Sequence, residues 1–219
     1  MTVFINGRDL TVEQVIRVCR DGEEVKLTDE AIVNVKKARA YIERKLAEKA
    51  VIYGLTTGFG KFSNVMISSE ETEELQRNLI MSHTCAMGPA YPARDVRAAM
   101  LLRCNALARG NSGIRLETLQ TLIDMLNAGV HPVIPQKGSL GASGDLAPLS
   151  HIALALIGEG KAEYKGQIMD SAAAMKEAGI MPATLAAKEG LALNNGTQMM
   201  TAVGLNVLWD AMSLAKAAD

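Results

Sequence analysis

Gly138-Ser139-Leu140-Gly141-Ala142-Ser143-Gly144-Asp145-Leu146-Ala147-Pro148 is the stretch around which the rest of the chain is organised. Its centre, Ala142-Ser143-Gly144, carries almost no side-chain bulk. The peptide nitrogen of Gly144 approaches the carbonyl carbon of Ala142 once the intervening dihedrals leave the common basins. Glycine makes such conformations cheap, and a braced surround holds the remaining strain. Closing that bond and expelling two waters, one of which takes the Ser143 hydroxyl, leaves a five-membered ring with an exocyclic methylene. No ordinary side chain is such an electrophile. Taken alone, the triplet also reads as a small-residue turn ahead of a helix.

The flanks of this stretch are stiff. Upstream, Pro132 and Pro135 forbid helix after His131 and hold an extended approach into the glycine-rich turn. Downstream, Asp145 to about Ile157 reads as helical, with Pro148 tolerable in the first turn and His151 near the start. Internal cyclisation needs bracing of this kind.

Bulk properties narrow the choice of fold. A chain of 219 residues is long enough to bury one sizeable core. Aromatic residues make up only 4% of it, while Ala, Leu, Met and Gly are plentiful, a mixture that favours packed helices over a sheet-rich fold. Lys plus Arg number 23 against 24 Asp plus Glu, so the charge balance gives no reason to expect a nucleic-acid or membrane-surface partner. Cys19, Cys85 and Cys104 are widely spaced with no Cys-x-x-Cys pair. They suit a reducing compartment and neither a disulfide framework nor a zinc site. The N-terminus lacks a basic region followed by an apolar core, and the longest apolar run, Ile152 to Ile157, is too short to cross a bilayer. A soluble cytoplasmic protein is the expectation.

Helix signals recur along the chain. Val3-Phe4-Ile5 before Asn6-Gly7 reads as a short strand, with Glu24 to Leu27 as its partner across a first helix that Thr11 and Gln14 cap and Gly22 ends. Thr28 caps a longer helix to about Lys49. The loop Tyr53-Gly54-Leu55-Thr56-Thr57-Gly58-Phe59-Gly60-Lys61 is glycine-rich and tyrosine-bearing, as loops over sites often are; a Walker phosphate cradle fails because Leu55 and Phe62 stand at its key positions. Ser68 with Glu71 caps the next helix, which delivers Ser82-His83 to a loop. Pro92 opens a helix through Ala108, whose Arg97, Arg103 and Arg109, spaced by six, read as surface or partner contacts. From Thr197 onward, Met200, Val203, Val207 and Leu214 suit one buried helical face.

The run HPVIPQKGSLGASGDLAPLSH, His131 to His151, strongly resembles the active-site segment of the aromatic amino acid ammonia-lyases, whose electrophile is 4-methylideneimidazol-5-one (MIO). Leu193-Asn194-Asn195-Gly196-Thr197-Gln198 resembles the family's second diagnostic segment, with Asn194 where a bulkier apolar residue is usual. Ser82-His83 resembles the histidine-using branch, and the likeness covers essentially the whole chain. It implies a mainly α fold: the N-terminal part of the ammonia-lyase (fumarase/aspartase-like) helical fold, with short β hairpins. Residues 1–219 would then be the MIO-bearing N-terminal domain, with the central helical bundle starting at about 197–219 and its C-terminal remainder absent.

The same resemblance implies the chemistry. Ala142, Ser143 and Gly144 form MIO, with no external cofactor and no metal. Tyr53 is the base, Asn195 hydrogen-bonds the ring or the bound amino acid, His83 recognises the substrate side chain, and Asp145 assists cyclisation. L-histidine is the small-molecule substrate, losing ammonia to give urocanate, and either its amine or its aromatic ring adds to the methylene. The family's enzymes are homotetramers, and their carboxylate-pairing arginine falls beyond residue 219. Three other readings stay open. They are another MIO enzyme acting on tyrosine or phenylalanine, a serine hydrolase using Ser143, His151 and Asp145 against a poor match to the nucleophile elbow, and a fragment without turnover.

Overall fold

The computed structural model describes residues 1–52, 54, 55, 57 and 72–218. Strand β1 (Thr2–Ile5) pairs in parallel with β2 (Glu24–Leu27), because helix α1 (Val12–Asp21) carries the chain back between them. The capping box of Thr11 and Gln14 is present, and Gly22 closes α1 in the left-handed conformation with φ +73°. Thr28 caps α2 (Asp29–Ala47) through Ala31 N. The cap expected at Ser68 and Glu71 lies outside the described residues.

Helix α3 (Thr72–His83) runs into β3 (Met87–Ala90), and α4 (Ala93–Ala108) follows from Pro92. Helix α4 is the centre of the molecule. Ala98, Ala99, Met100, Leu101, Cys104, Leu107 and Ala108 are all fully buried, so it presents apolar surface on most sides. It packs against α1, α5 (Leu116–Ala128) and α9 (Gln198–Ala218). Between them run β4 (His131–Pro132), β5 (Pro135–Lys137), α6 (Leu146–Leu156), the hairpin of β6 (Lys161–Tyr164) and β7 (Gln167–Asp170), α7 (Ser171–Glu177) and α8 (Glu189–Asn194). The mainly helical expectation holds.

The extended approach from His131 is gripped on both sides. β4 pairs with β6, and β5 pairs with β3, so the two prolines occupy short strands where a missing N–H costs little. Among the described residues no helix is long and apolar enough to cross a membrane.

Two expectations are overturned. Arg97 is not a surface contact: its Nε and Nη2 donate to Val18 O at 3.1 and 2.7 Å, and its Nη1 donates to Leu126 O at 3.1 Å. Those carbonyls end α1 and α5, where a helix leaves its acceptors unpaired and its dipole negative. The stripe foreseen on the last helix holds only at Val203, which packs against the core. Met199, Ala202 and Asn206 face the core, whereas Met200, Val207 and Leu214 are 63%, 61% and 72% exposed. The outward turn of the other three follows from Asn206, whose Nδ2 donates to Asp95 Oδ1 at 2.9 Å while Arg20 Nε donates to Asn206 Oδ1 at 3.1 Å, which fixes that face inward.

His131 gives a test of this framework. Arg97 Nη1 donates to its Nε2 at 3.0 Å, so the proton of the neutral ring sits on Nδ1, which is buried without a partner. Burial, and then the Arg97 charge, push its pKa down to about 4. The unfolded chain takes up this proton near pH 6.5. Stability is therefore complete above that value and falls as the pH drops towards 4, by about 3 kcal/mol at most. Urea denaturation at neutral and mildly acid pH should show this loss in the parent chain and its absence in His131→Gln. Equal losses in both would remove His131 as the cause.

Candidate active site

Two passages of chain meet to build the site: the exit from β5 through Gly138 to Asp145, and the turn between α8 and α9. At the first end, Gly138 lies so close to Ala86 that an added Cβ would come within 2.8 Å of its Cα and Cβ. This ties the segment to the chain just after α3, which ends at His83. At the other end Gly144 has φ +142°. A Cβ there would stand 2.8 Å from Asn195 Oδ1, 2.8 Å from Gly196 O and 2.9 Å from Gly196 N. Glycine is required on both counts, backbone and space.

Asn195 therefore stands directly against Gly144. Asp145 N donates to Gly196 O at 2.6 Å and joins the two passages further. The Asp145 carboxylate is 4% exposed; its Oδ1 accepts from Ser139 Oγ at 2.9 Å and its Oδ2 from Met200 N at 2.8 Å. One buried side chain thus closes the loop from Ser139 onto itself and caps the first turn of α9. Asp145 is also the N-cap residue of α6, so the positive ends of α6 and α9 both border Gly144. Ala142 and Ser143 are exposed, while Gly144 and Asp145 are buried.

His83 ends α3. Its Nδ1 lies 2.9 Å from Leu79 O and 3.0 Å from Ser82 Oγ, and Ser82 Oγ itself donates to Leu79 O at 2.8 Å. A carbonyl only accepts, so Nδ1 carries the proton and Nε2 presents a lone pair. Tyr53 lies outside the described residues.

The serine-hydrolase reading does not survive. Both Asp145 oxygens are taken by Ser139 and Met200, and His151 Nε2 is buried with no partner. Burial also pushes the His151 pKa down. Among the described residues no group of three His, Cys, Asp or Glu side chains stands ready for a metal ion. Asn194 is fully buried and turned away from Asn195's contact, its Nδ2 donating to Ser150 Oγ on α6 at 3.3 Å. That hydroxyl satisfies half of the amide, while Asn194 Oδ1 is buried without a partner.

Sequence reasoning missed two neighbours of the site. Tyr91 donates its hydroxyl to Gln136 O at 3.4 Å, and burial together with Asp145 and Asp95 raises its pKa, so it stays a neutral phenol. Arg103, expected at the surface, is 6% exposed and bonded to the turn that carries Asn195. The signal was available: Arg103 is four residues from both Ala99 and Leu107, which are fully buried, so helical spacing puts it inside.

Residues 10–219 match a family model described as aromatic amino acid lyase. The chain is 57% identical over 217 residues to the histidine ammonia-lyase of Alkaliphilus oremlandii, covering 99% of this chain and 43% of that protein. Among solved structures, the histidine ammonia-lyase of Trypanosoma cruzi superposes with a TM-score of 0.92 at 39% identity, covering 98% of this chain and 41% of the other. The phenylalanine aminomutase of Pantoea agglomerans gives 0.90 at 40% identity, covering 97% and 40%. The chain thus spans less than half the length of these relatives.

Proposed function

The chain belongs to the aromatic amino acid lyase family, and from that premise we propose that the complete protein is a histidine ammonia-lyase, eliminating ammonia from L-histidine to give urocanate at an MIO electrophile made from Ala142, Ser143 and Gly144. The observation that carries the reading is the contact of Gly144 with Asn195 and Gly196, which leaves no room for a side chain. When formed, the ring supplies an electron-poor methylene that takes up electron density from the substrate.

The chain's own residues do the rest. Ala142 and Ser143 face solvent, so a substrate reaches them, while the clamp on Gly144 and Asp145 holds their far side still. The helix N-termini of α6 and α9 favour negative charge developing beside Gly144. Asn195 hydrogen-bonds the bound amino acid or the ring. His83 offers Nε2 to the N–H of an imidazole, which a phenyl group lacks; this hydrogen bond, with the names of the relatives, favours histidine. Tyr53 removes the β-proton, and its phenol, with an ordinary pKa of about 10, must be depressed to act near neutrality. Residues 1–219 carry this N-terminal part, and α9 begins the central bundle of a cytoplasmic homotetramer.

A second MIO activity, on tyrosine or phenylalanine, has the aminomutase likeness in its favour. Ammonia release from histidine, tyrosine and phenylalanine, measured side by side, separates the two, and histidine should lead phenylalanine by at least about a hundredfold, since an acceptor that gives up water to a bound substrate and meets no donor in return discriminates strongly. In the same assay Tyr53→Phe should lose turnover and keep the mass of the cyclised chain. Preference for phenylalanine would overturn the substrate, and an active Tyr53→Phe would overturn the base.

A further inference from the structure

Arg103 plays no part in the chemistry above, yet the turn behind Gly144 rests on it. It rises from the middle of α4 and is 6% exposed. Its Nη1 donates to Asn195 O at 2.9 Å and to Gln198 Oε1 at 2.8 Å, and its Nη2 donates to Ala192 O. One planar group thus holds the carbonyls that end α8 and the first side chain of α9. The side chain of lysine, with a single nitrogen, cannot span these acceptors in the same plane.

The turn is thin. A Cβ on Gly196 would collide with both Arg103 Nη1 and Gln198 Oε1, so glycine at 196 lets the guanidinium lie flat against the main chain. The other side of the same two residues is the wall against Gly144: Asn195 Oδ1, Gly196 N and Gly196 O. Gly196 O also receives Asp145 N. Force applied by Arg103 from behind therefore passes through one layer of backbone to Gly144.

We propose that Arg103 is a positioning residue of this site: it presses the Asn195–Gly196 turn against Gly144 and so sets the geometry in which the Ala142–Gly144 segment cyclises and Asn195 meets the substrate. In that closure Gly144 N bonds to the Ala142 carbonyl carbon. One water leaves with the former carbonyl oxygen, and a second leaves with the Ser143 hydroxyl and its α-hydrogen. The consequence for cyclisation and turnover rests on the ammonia-lyase reading; the bracing of the turn does not. Burial lowers the Arg103 pKa to about 10, which still leaves the group charged at neutral pH, and no carboxylate among the described residues offsets it. A fixed positive charge thus stands one layer behind the two helix N-termini.

The test uses Arg103→Lys and Gly196→Ala in the complete protein. The first keeps the charge and loses the fork; the second keeps the arginine and displaces it. Intact mass over time reads the loss of two waters, steady-state kinetics reads kcat and KM, and hydrogen exchange reads the amides from Asn195 to Met200. We expect both variants to cyclise about tenfold to a hundredfold more slowly, as displacements of about 1 Å do at reacting centres. Per cyclised chain, kcat should fall more than KM rises, and exchange should quicken at the turn. Parent-like cyclisation and exchange in Arg103→Lys, or a lower melting temperature as the sole change, would overturn the proposal. Should Arg103→Lys fail to fold, Gly196→Ala decides by the same readouts. A parent protein that never loses two waters sinks the lyase reading instead, and exchange at the turn then still tells whether Arg103 braces it.

Discussion

Replacing Ser143 with alanine in the complete protein is expected to abolish the two-water loss in mass and to lower turnover of histidine by at least about a thousandfold, about 4 kcal/mol of barrier. The methylene carbon of the proposed electrophile is the Cβ of Ser143, and it becomes unsaturated only by losing the hydroxyl. Alanine has no such leaving group, so a ring closed on Ala142 and Gly144 would carry a methyl in its place. Because Ser143 is exposed and its neighbours are held through Asp145 and Gly196, the variant should fold as the parent does. Melting temperature and far-ultraviolet circular dichroism would therefore stay unchanged while near-ultraviolet absorbance from the ring disappears. A Ser143→Ala protein that still releases ammonia at the parent rate would remove MIO from the mechanism.

The arrangement explains why such an electrophile needs so much surrounding structure. Two helices start at Gly144's edge, two strand pairs hold the approach from His131, and a buried carboxylate links the loop to α9. Each restraint acts on backbone and not on a reactive side chain, as expected if the main chain itself is the reagent. Freezing the segment beforehand spares the reaction the entropy of finding a bent conformation.

Much of this was legible in the residues. The capping box at Thr11, the left-handed stop at Gly22 and the proline-stiffened approach at Pro132 and Pro135 each follow from local rules, and each stands where the sequence placed it. The pairing of Gly144 with Asn195 was legible only through resemblance, because no local rule brings residues so far apart in sequence together. The arginines were misread for a physical reason. Arg97 and Arg103 were taken as charges that must face water, but helix C-termini offer buried carbonyls that satisfy a guanidinium without a carboxylate. The last helix was misread at Met200, Val207 and Leu214, though not at Val203, because apolar periodicity was allowed to outvote Asn206, whose buried polar contacts orient α9. Tyr53, the proposed base, lies outside the described residues.

Gly144→Ala carries the second large expected effect, and Gly141→Ala is its control. Both glycines have positive φ, +142° and +75°, so alanine strains the backbone at either position, by about 1–3 kcal/mol. The two differ in space. Nothing lies within 4 Å of a Cβ placed at Gly141, whereas at Gly144 it meets Asn195 Oδ1 and the backbone of Gly196 at under 3 Å. Those atoms cannot retreat freely: Gly196 O is bonded to Asp145 N and Asn195 O to Arg103. Gly144→Ala must therefore push the α8–α9 turn away or give up its own conformation, and either outcome withdraws the Gly144 nitrogen from Ala142. The expected result is a stability loss larger than that of Gly141→Ala by about 1–2 kcal/mol, together with failure of cyclisation that Gly141→Ala does not share. Chemical denaturation gives the first quantity and intact mass the second. Equal behaviour of the two variants would mean that backbone strain alone governs both positions and that the wall formed by Asn195 and Gly196 has no part in shaping the site.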